Sequence, residues 1–230
     1  MSAAIMGLVG VVLGSFLSSF KDMVAHFFKQ RSNGRYAAVL IITLLDEYAQ
    51  KCVSVVSDDG TCEGRPAGTT EQGEEYCVAQ VTRPEVPTFP DDVDWRSISF
   101  KLMYRILSLP KTARTTDRFI DVSGENSFPP DYDEWFDARQ EGYAHLGLEA
   151  LNLIKELRKE FSLPETPLKF WDWGWDSEKF FQGKLSDFQT RRESIAAEHA
   201  MMLDDLTAAR KTTATPAPRL AGKAAKGRRP

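Results

Sequence analysis

Histidine and cysteine are scarce in this chain, with three of each among 230 residues. The three cysteines, Cys52, Cys62 and Cys77, are separated by 10 and 15 residues, and no CxxC or HExxH pattern occurs, so the usual metal-site spacings are missing. A small, odd number of cysteines also argues against an exterior domain held by disulfides. We therefore expect ordinary thiols and no metal or other cofactor.

Catalytic and nucleotide-binding motifs are also missing from the sequence. The phosphate-binding patterns GxxxxGK[ST] and GxGxxG do not occur, nor does the nucleophile pattern GxSxG. The carboxylates at Asp131, Asp133 and Glu134 fit a helix N-terminus, where the dipole favours negative charge, better than an acid–base pair. His145 lacks the paired ExxH pattern of a di-metal bundle. The sequence therefore predicts a protein that is not an enzyme.

Charge is absent from the first twenty residues. A helix over Ala3–Phe20 would be about 27 Å long, which suffices for a bilayer core of ~30 Å because the following Lys21 can snorkel. A cleavable signal peptide is disfavoured, since no Lys or Arg precedes the apolar run. A buried core helix is a weaker interpretation, and an interfacial helix is disfavoured because the run has no polar face. We expect a single transmembrane helix.

Basic residues follow the apolar run directly. Lys21, Lys29, Arg31 and Arg35 stand against one acid, Asp22. The positive-inside rule then places the C-terminal body in the cytoplasm and the helix in a bacterial inner membrane, with these basic residues at the membrane surface.

Glycines are spaced for close helix packing within the predicted span. Gly10 and Gly14 form a small-xxx-small pair, and Gly7 extends the same face. Such faces let helix backbones approach each other in lipid. This spacing predicts a homo-oligomer that forms through the span, although glycine is common in spanning helices generally.

The rest of the chain shows mainly helical periodicity. Apolar residues at i, i+3 and i+4 spacing predict helices over 33–56, from Asp94 onward, over Asp131–Phe161 and from Ser177 to about Arg210. Pro110 is expected to start or kink a helix within the second of these regions. The fold class predicted is all-α: an N-terminal transmembrane helix plus an irregular bundle of four or five helices. The predicted bundle core includes Leu44, Tyr48, Leu102, Ile106, Trp135, Tyr143, Leu146, Leu153 and Leu157.

Composition divides the chain into three parts. Residues 1–32 hold the membrane helix and its basic flank, and 33–210 form the helical cytoplasmic domain, in which the polar, Gly-rich and Pro-containing stretch 58–90 is a loop or a disordered insertion. Residues 211–230 form a disordered tail with six basic residues and no acid, although the whole chain carries a net charge of −4. The tail is either a second contact with an anionic membrane or a solubilising extension. Nucleic acid is disfavoured as a partner, because the tail has no aromatic residue to stack on bases.

Tryptophans are the candidate partner-binding residues. Trp95 lies in the string DVDWRS, while Trp171, Trp173 and Trp175 alternate in FWDWGW. One interpretation is that they plug the ends of the bundle. The second is a patch that binds an unidentified protein or the membrane surface, since amphipathic rings favour interfaces.

Four strings resemble uncharacterised bacterial proteins that have one short N-terminal hydrophobic helix and a helical body. They are LDEYAQKC…DDG within Leu45–Gly60, DVDWRSIS within Asp91–Ser99, LMYRILSLP at Leu102–Pro110 and FPPDYDEWFDARQEGYAHLGLEA at Phe128–Ala150. The resemblance covers most of residues 1–165. It implies this architecture and supplies no catalytic residue.

Two functional classes follow from these patterns. The first is a membrane-anchored cytoplasmic helical protein that acts without catalysis as a scaffold, adaptor or sensor. The second is an oligomerising membrane effector of the phage- or defence-associated kind, and an enzyme with an unrecognised site is a weaker third.

Overall fold

A computed structural model of the chain describes residues 21, 32–125, 127, 132–164 and 175–213, with side chains up to residue 207. It divides into two compact units, Met1–Ser186 and Asp187–Pro230. The described residues form four α-helices with little strand, which confirms the all-helical class. None of these described helices is long and apolar enough to cross a bilayer. The segment 3–20, with Gly7, Gly10 and Gly14, lies outside the described residues.

The first helix, α1, is described over 32–56. Its buried side chains recur every three or four residues, as the sequence pattern predicts. They are Ala37, Ala38, Ile41, Leu45, Tyr48, Ala49, Cys52, Val55 and Val56. Leu44, which was predicted to be in the core, is only half-buried because it lies at the edge of this face.

A long connection joins α1 to the second helix. It contains a two-residue antiparallel hairpin, β1 Gly68–Thr69 and β2 Glu75–Tyr76, and a 3₁₀ turn at Trp95–Ser97. Gly60 adopts a left-handed backbone conformation, with φ of +76°, where a side chain would collide with the Phe136 ring. The stretch predicted to be a loop or insertion is thus a loop that packs on the helices through Gly60 and includes a short hairpin.

Helix α2, Phe100–Glu125, continues through Pro110. The sequence predicted a helix start or a kink there, because proline has no N–H to donate to the preceding turn. Leu109 and Ala113 flank the proline on the buried side, and tertiary packing maintains one helix across it.

Helix α3, Asp133–Phe161, runs antiparallel to α2 and forms the largest buried face. Acidic residues occupy its first turn and basic residues its last turn, which suits the helix dipole. Ser162 ends the helix in a left-handed conformation, and its N–H donates to the carbonyls of Arg158 and Lys159. Of the predicted core, Trp135 is half-buried, since it lies at the first turn. The other members on α2 and α3 are buried: Leu102, Ile106, Tyr143, Leu146, Leu153 and Leu157.

Helix α4, Ser177–Thr213, begins with a side-chain cap. The Asp176 carboxylate accepts hydrogen bonds from the N–H groups of Glu178 and Lys179 at 3.0 and 3.2 Å, which lowers the pKa of Asp176. The residues up to Ser186 belong to the first unit, where the Phe181 ring packs on Gly147 of α3. The helix continues to Thr213, three residues into the predicted tail, and residues 214–230 lie outside the described part.

Candidate functional site

The first unit has two ends with different chemistry, and the start of α1 defines one of them. The Arg35 Nε atom donates to the Phe161 carbonyl at 3.3 Å. A Cβ atom at Gly34 would lie 2.4 Å from the Phe161 ring and 3.0 Å from the Ser97 carbonyl, so only glycine lets these segments meet. The start of α1, the start of α2 and the end of α3 therefore share one end of the bundle, which we call the proximal end.

Aromatic side chains are exposed at the proximal end. Phe100, the first residue of α2, is 76% exposed, and Tyr36 on the first described turns of α1 is 65% exposed. The Glu160 carboxylate fastens α2 to α3 there by accepting hydrogen bonds from the Ser99 N–H at 2.8 Å and the Ser99 hydroxyl at 2.6 Å. Arg35, predicted to lie at a membrane surface, is exposed at this end, and Lys21 is also exposed.

A buried ion pair organises the opposite end, which we call the distal end. Asp58, just beyond α1, and Arg139 of α3 are 2.7 Å apart between Oδ2 and Nη1, with side chains 2% and 1% exposed. The same carboxylate accepts hydrogen bonds from three backbone N–H groups, those of Gly60, Gln80 and Val81, each at 3.0 Å. Arg139 also donates to the Val81 carbonyl. The pair therefore ties the connection after α1 to α3.

Opposing effects act on the pKa of Asp58. Burial raises this pKa, but the Arg139 hydrogen bond and the backbone N–H groups of Val81 and Gly60 outweigh burial, so the net pKa is below the ordinary value. The carboxylate is therefore ionised at neutral pH and fully paired, which is the condition for burying a charge without a large penalty.

A cleft of about 500 Å³ opens beside this ion pair at the distal end. Its walls come from the connection, the last turns of α2 and the first turn of α3. The lining residues are Cys77, Val78, Arg83, Asp121, Gly124, Glu125, Tyr132 and Trp135. We call it the aromatic cleft. A Cβ atom at Gly124 would lie 2.9 Å from the Trp135 indole, so the missing side chain lets the ring lie against α2.

The aromatic cleft combines apolar, aromatic and charged side chains in its lining. Trp135 packs against two side chains of its own helix, with the Arg139 guanidinium 5.7 Å from its ring centroid and the Phe136 ring edge-on at 5.0 Å. In the same lining, Arg83 Nη1 pairs with Asp121 Oδ1 at 2.6 Å. Glu125 adds a second carboxylate, and the cleft carries one net negative charge. Its size and mixed lining suit a small molecule or one large side chain of a partner.

Polar groups are also buried in the middle of the bundle. The Tyr143 hydroxyl donates to Asp117 Oδ1 at 2.6 Å. The buried Tyr48 hydroxyl has no hydrogen-bond partner among the described residues and lies near the Cys52 thiol. Burial raises the pKa of Tyr48, Cys52 and Tyr143 well above their ordinary values, so all three are neutral and the Cys52 thiol is unreactive.

Two half-buried carboxylates and one arginine join α2 to α3 along a second groove. Arg105 makes a two-point contact with Glu149, at 3.0 and 3.1 Å, and also pairs with Glu156. His145 lines the same groove, with its Nε2 atom 3.9 Å from Glu141 Oε1. Ion pairs therefore join the two helices that form the walls of this groove.

The tryptophans proposed as partner-binding residues have different surroundings. Trp95 is half-buried against the core, and its ring contacts the Phe89 ring edge-on, with the ring centroids 5.8 Å apart. This is the kind of packing expected of a tryptophan that closes one end of the bundle. Trp175 is exposed, lies 5.0 Å from the Phe180 ring, and donates its indole N–H to Ser177 Oγ at 3.1 Å. Trp171 and Trp173 lie outside the described residues, as do Lys29 and Arg31.

Sequence reasoning missed the aromatic cleft as a site. Trp135 was predicted as a core residue, and Arg83 gave no signal because it lies in a stretch without periodicity. The signal that could have pointed to the cleft is the string DYDEWF. It begins a helix and carries two aromatic residues, Tyr132 and Trp135, that the core only half buries.

No protein-family model, curated protein or solved structure matches this chain. Among the residues that the structure describes, no three His, Cys, Asp or Glu side chains gather as metal ligands.

Proposed function

We propose that this protein is a membrane-tethered, non-enzymatic adaptor that holds the aromatic cleft away from a bacterial inner membrane, on the cytoplasmic side, for a protein partner. The apolar run 3–20 is the tether, and the basic residues after it set the orientation. The exposed Phe100 and Tyr36 at the proximal end suit the headgroup region, where amphipathic and aromatic rings concentrate.

The observation that carries the proposal is the placement of the cleft relative to the start of α1. The predicted tether leads into α1 at the proximal end, while Asp121 and Glu125 lie at the far end of α2. Asp121 follows Phe100 by 21 residues, which is about 32 Å along the helix axis. A bundle standing on its proximal end would therefore present the aromatic cleft to solvent, well beyond the headgroups.

The lining of the cleft indicates the chemistry of the partner. Tyr132, Trp135 and Val78 offer apolar and aromatic contact, which anchors most protein interfaces. Asp121 and Glu125 outnumber Arg83, so a basic residue is favoured next to the anchor. We expect the occupant to be a protein segment with one large apolar side chain beside a Lys or Arg.

A pair of valine variants tests the binding proposal. Val78 lines the cleft and is 46% exposed, so Val78→Arg should block the cleft without unfolding the chain. Val39 on α1 is similarly exposed but does not line the cleft, and Val39→Arg is the matched control. A photo-reactive residue at Tyr132 in the full membrane-bound chain should cross-link a specific partner, and Val78→Arg alone should abolish that product. Equal cross-linking in both variants would refute the cleft as the binding site.

The cysteines test the orientation. Cys62 is exposed, Cys77 is half-buried and Cys52 is fully buried. A membrane-impermeant maleimide should leave the protein unlabelled in intact cells and label Cys62 once the inner membrane is permeabilised. Labelling in cells whose inner membrane is intact would place the body on the outside.

A further inference from the structure

We propose that the second unit binds a second copy of this chain through an antiparallel two-helix coiled coil along α4. The observation is the apolar side of this helix beyond Ser194. Ile195, Met202 and Leu206 follow one another at heptad spacing, with Leu203 beside them. These four side chains are 45–67% exposed in the single chain.

The exposed stripe continues a heptad seam. Residues at spacings of three and four along the second unit's part of α4 are Phe188, Arg192, Ile195, His199, Met202 and Leu206. Four of these six residues are apolar, and their spacing is that of a coiled-coil seam, in which such side chains pack into the facing helix. Most of the stability of a protein helix comes from packing its apolar face. Phe188 is already buried in the single chain, whereas Ile195, Met202 and Leu206 are exposed to solvent.

Charge determines how two copies align. Arg191 and Arg192 lie at one end of the stripe, and Asp204 and Asp205 lie at the other, about 21 Å away along the helix. A parallel pair would stack Arg192 on Arg192 and His199 on His199 at seam positions, which places like charges together. An antiparallel pair brings the arginine end of each helix next to the aspartate end of the other.

One antiparallel register matches the seam positions and sets Arg191 beside Asp205 of the second copy, although it also brings the two Glu198 side chains together at the two-fold axis. Ile195 then faces His199 of the second copy, and Met202 faces Arg192, whose methylene stem can pack along it while the guanidinium reaches water. In this register Arg191, whose guanidinium lies 5.5 Å from the Phe188 ring in the single chain, flanks Asp205 of the second copy. The same contacts occur twice by two-fold symmetry.

An anionic membrane fits this stripe poorly as its occupant. Glu198, Asp204 and Asp205 lie beside the apolar residues and would be repelled by anionic headgroups. The dimer is independent of the proposed tether and of the aromatic cleft, because it involves only the second unit.

Disulfide cross-linking of the full, detergent-solubilised chain tests the pairing and its direction. Chains carrying Arg191→Cys and chains carrying Asp205→Cys, both with Cys62→Ser and with different tags, are mixed under mild oxidation. The antiparallel register predicts a mixed disulfide that forms at least tenfold faster than either symmetric one. Because this readout is local to α4, association through the N-terminal span cannot produce it.

Two further variants complete the test. Met202→Glu places a charge in the seam and should abolish the mixed disulfide, whereas Ala200→Glu adds the same charge on the outer face and should leave its rate within about twofold. Circular dichroism checks that both variants stay helical. Faster symmetric disulfides would show a parallel pair, and mixed cross-linking no faster than for an exposed Phe119→Cys control would show no α4 pair; either result overturns the proposal.

Discussion

Replacing Arg139 with Met should destabilise the protein strongly, because it removes one half of a buried ion pair. Asp58 would stay buried without its cation, and the Val81 carbonyl would lose its guanidinium donor. Breaking a buried pair from one side typically costs about 3–5 kcal/mol. Asp58 keeps its three backbone N–H donors, and these limit the cost of leaving its charge buried. We therefore expect the free energy of unfolding to fall by an amount within that range and not above it.

The pH dependence has a definite sign. In the native protein the pKa of Asp58 is depressed, so its contribution to stability is present above the unfolded pKa of about 3.9 and is lost as pH falls through the folded pKa. Without Arg139 the folded pKa of Asp58 must be higher than in the native protein. The stability difference between native and variant should therefore shrink as pH falls through the pKa that Asp58 has in the variant and on toward its lower pKa in the native protein.

Urea unfolding of the detergent-solubilised full chain, followed by tryptophan fluorescence, measures both effects. Arg83→Met is the control, because it breaks the more exposed Arg83–Asp121 pair and should cost about 0–1 kcal/mol. A loss below 1 kcal/mol for Arg139→Met, or a loss that does not change with pH, would show that Asp58 is hydrated or neutral in the folded protein and would refute this reasoning.

Three other predictions concern α4, the span and the tail. Gly147→Ala should destabilise the first unit, since the new Cβ atom would lie 2.3 Å from the Phe181 ring. Gly183→Ala, which has open space around it, should instead stabilise α4 by about 0.5–1 kcal/mol. The midpoints of urea unfolding should therefore shift in opposite directions. Gly10→Ile should weaken self-association of the isolated span in a two-hybrid assay, because bulk blocks close helix approach. Deleting 211–230 from the fragment 33–230 should reduce its sedimentation with anionic liposomes and leave its sedimentation with neutral liposomes unchanged. Equal sedimentation with and without the tail would rule out an electrostatic contact.

The helices could be predicted because their faces are periodic. Ile106, Tyr143 and Leu153 are buried as their spacing indicates. Pro110 shows the limit of local reasoning. Its preference for a helix start yields to the buried neighbours on both sides, which no local rule includes.

The aromatic cleft could not be predicted for a different reason. It is assembled from a connection without periodicity, which the Asp58–Arg139 pair ties to α3, and from the end of α2 and the start of α3. Asp58 lies in the stretch predicted to be a loop, Arg139 lies within a predicted helix, and the two residues are 81 positions apart. Contacts of that range depend on tertiary packing that a single sequence does not display.

Carbonate extraction of cell membranes tests the central claim most directly. The full chain should remain in the membrane pellet after extraction at high pH, because an apolar helix of this length is held by the bilayer rather than by charge. A chain that begins at residue 33 should move to the supernatant. Recovery of the intact full chain in the supernatant would contradict the tether, and with it the account of a cleft held away from a membrane.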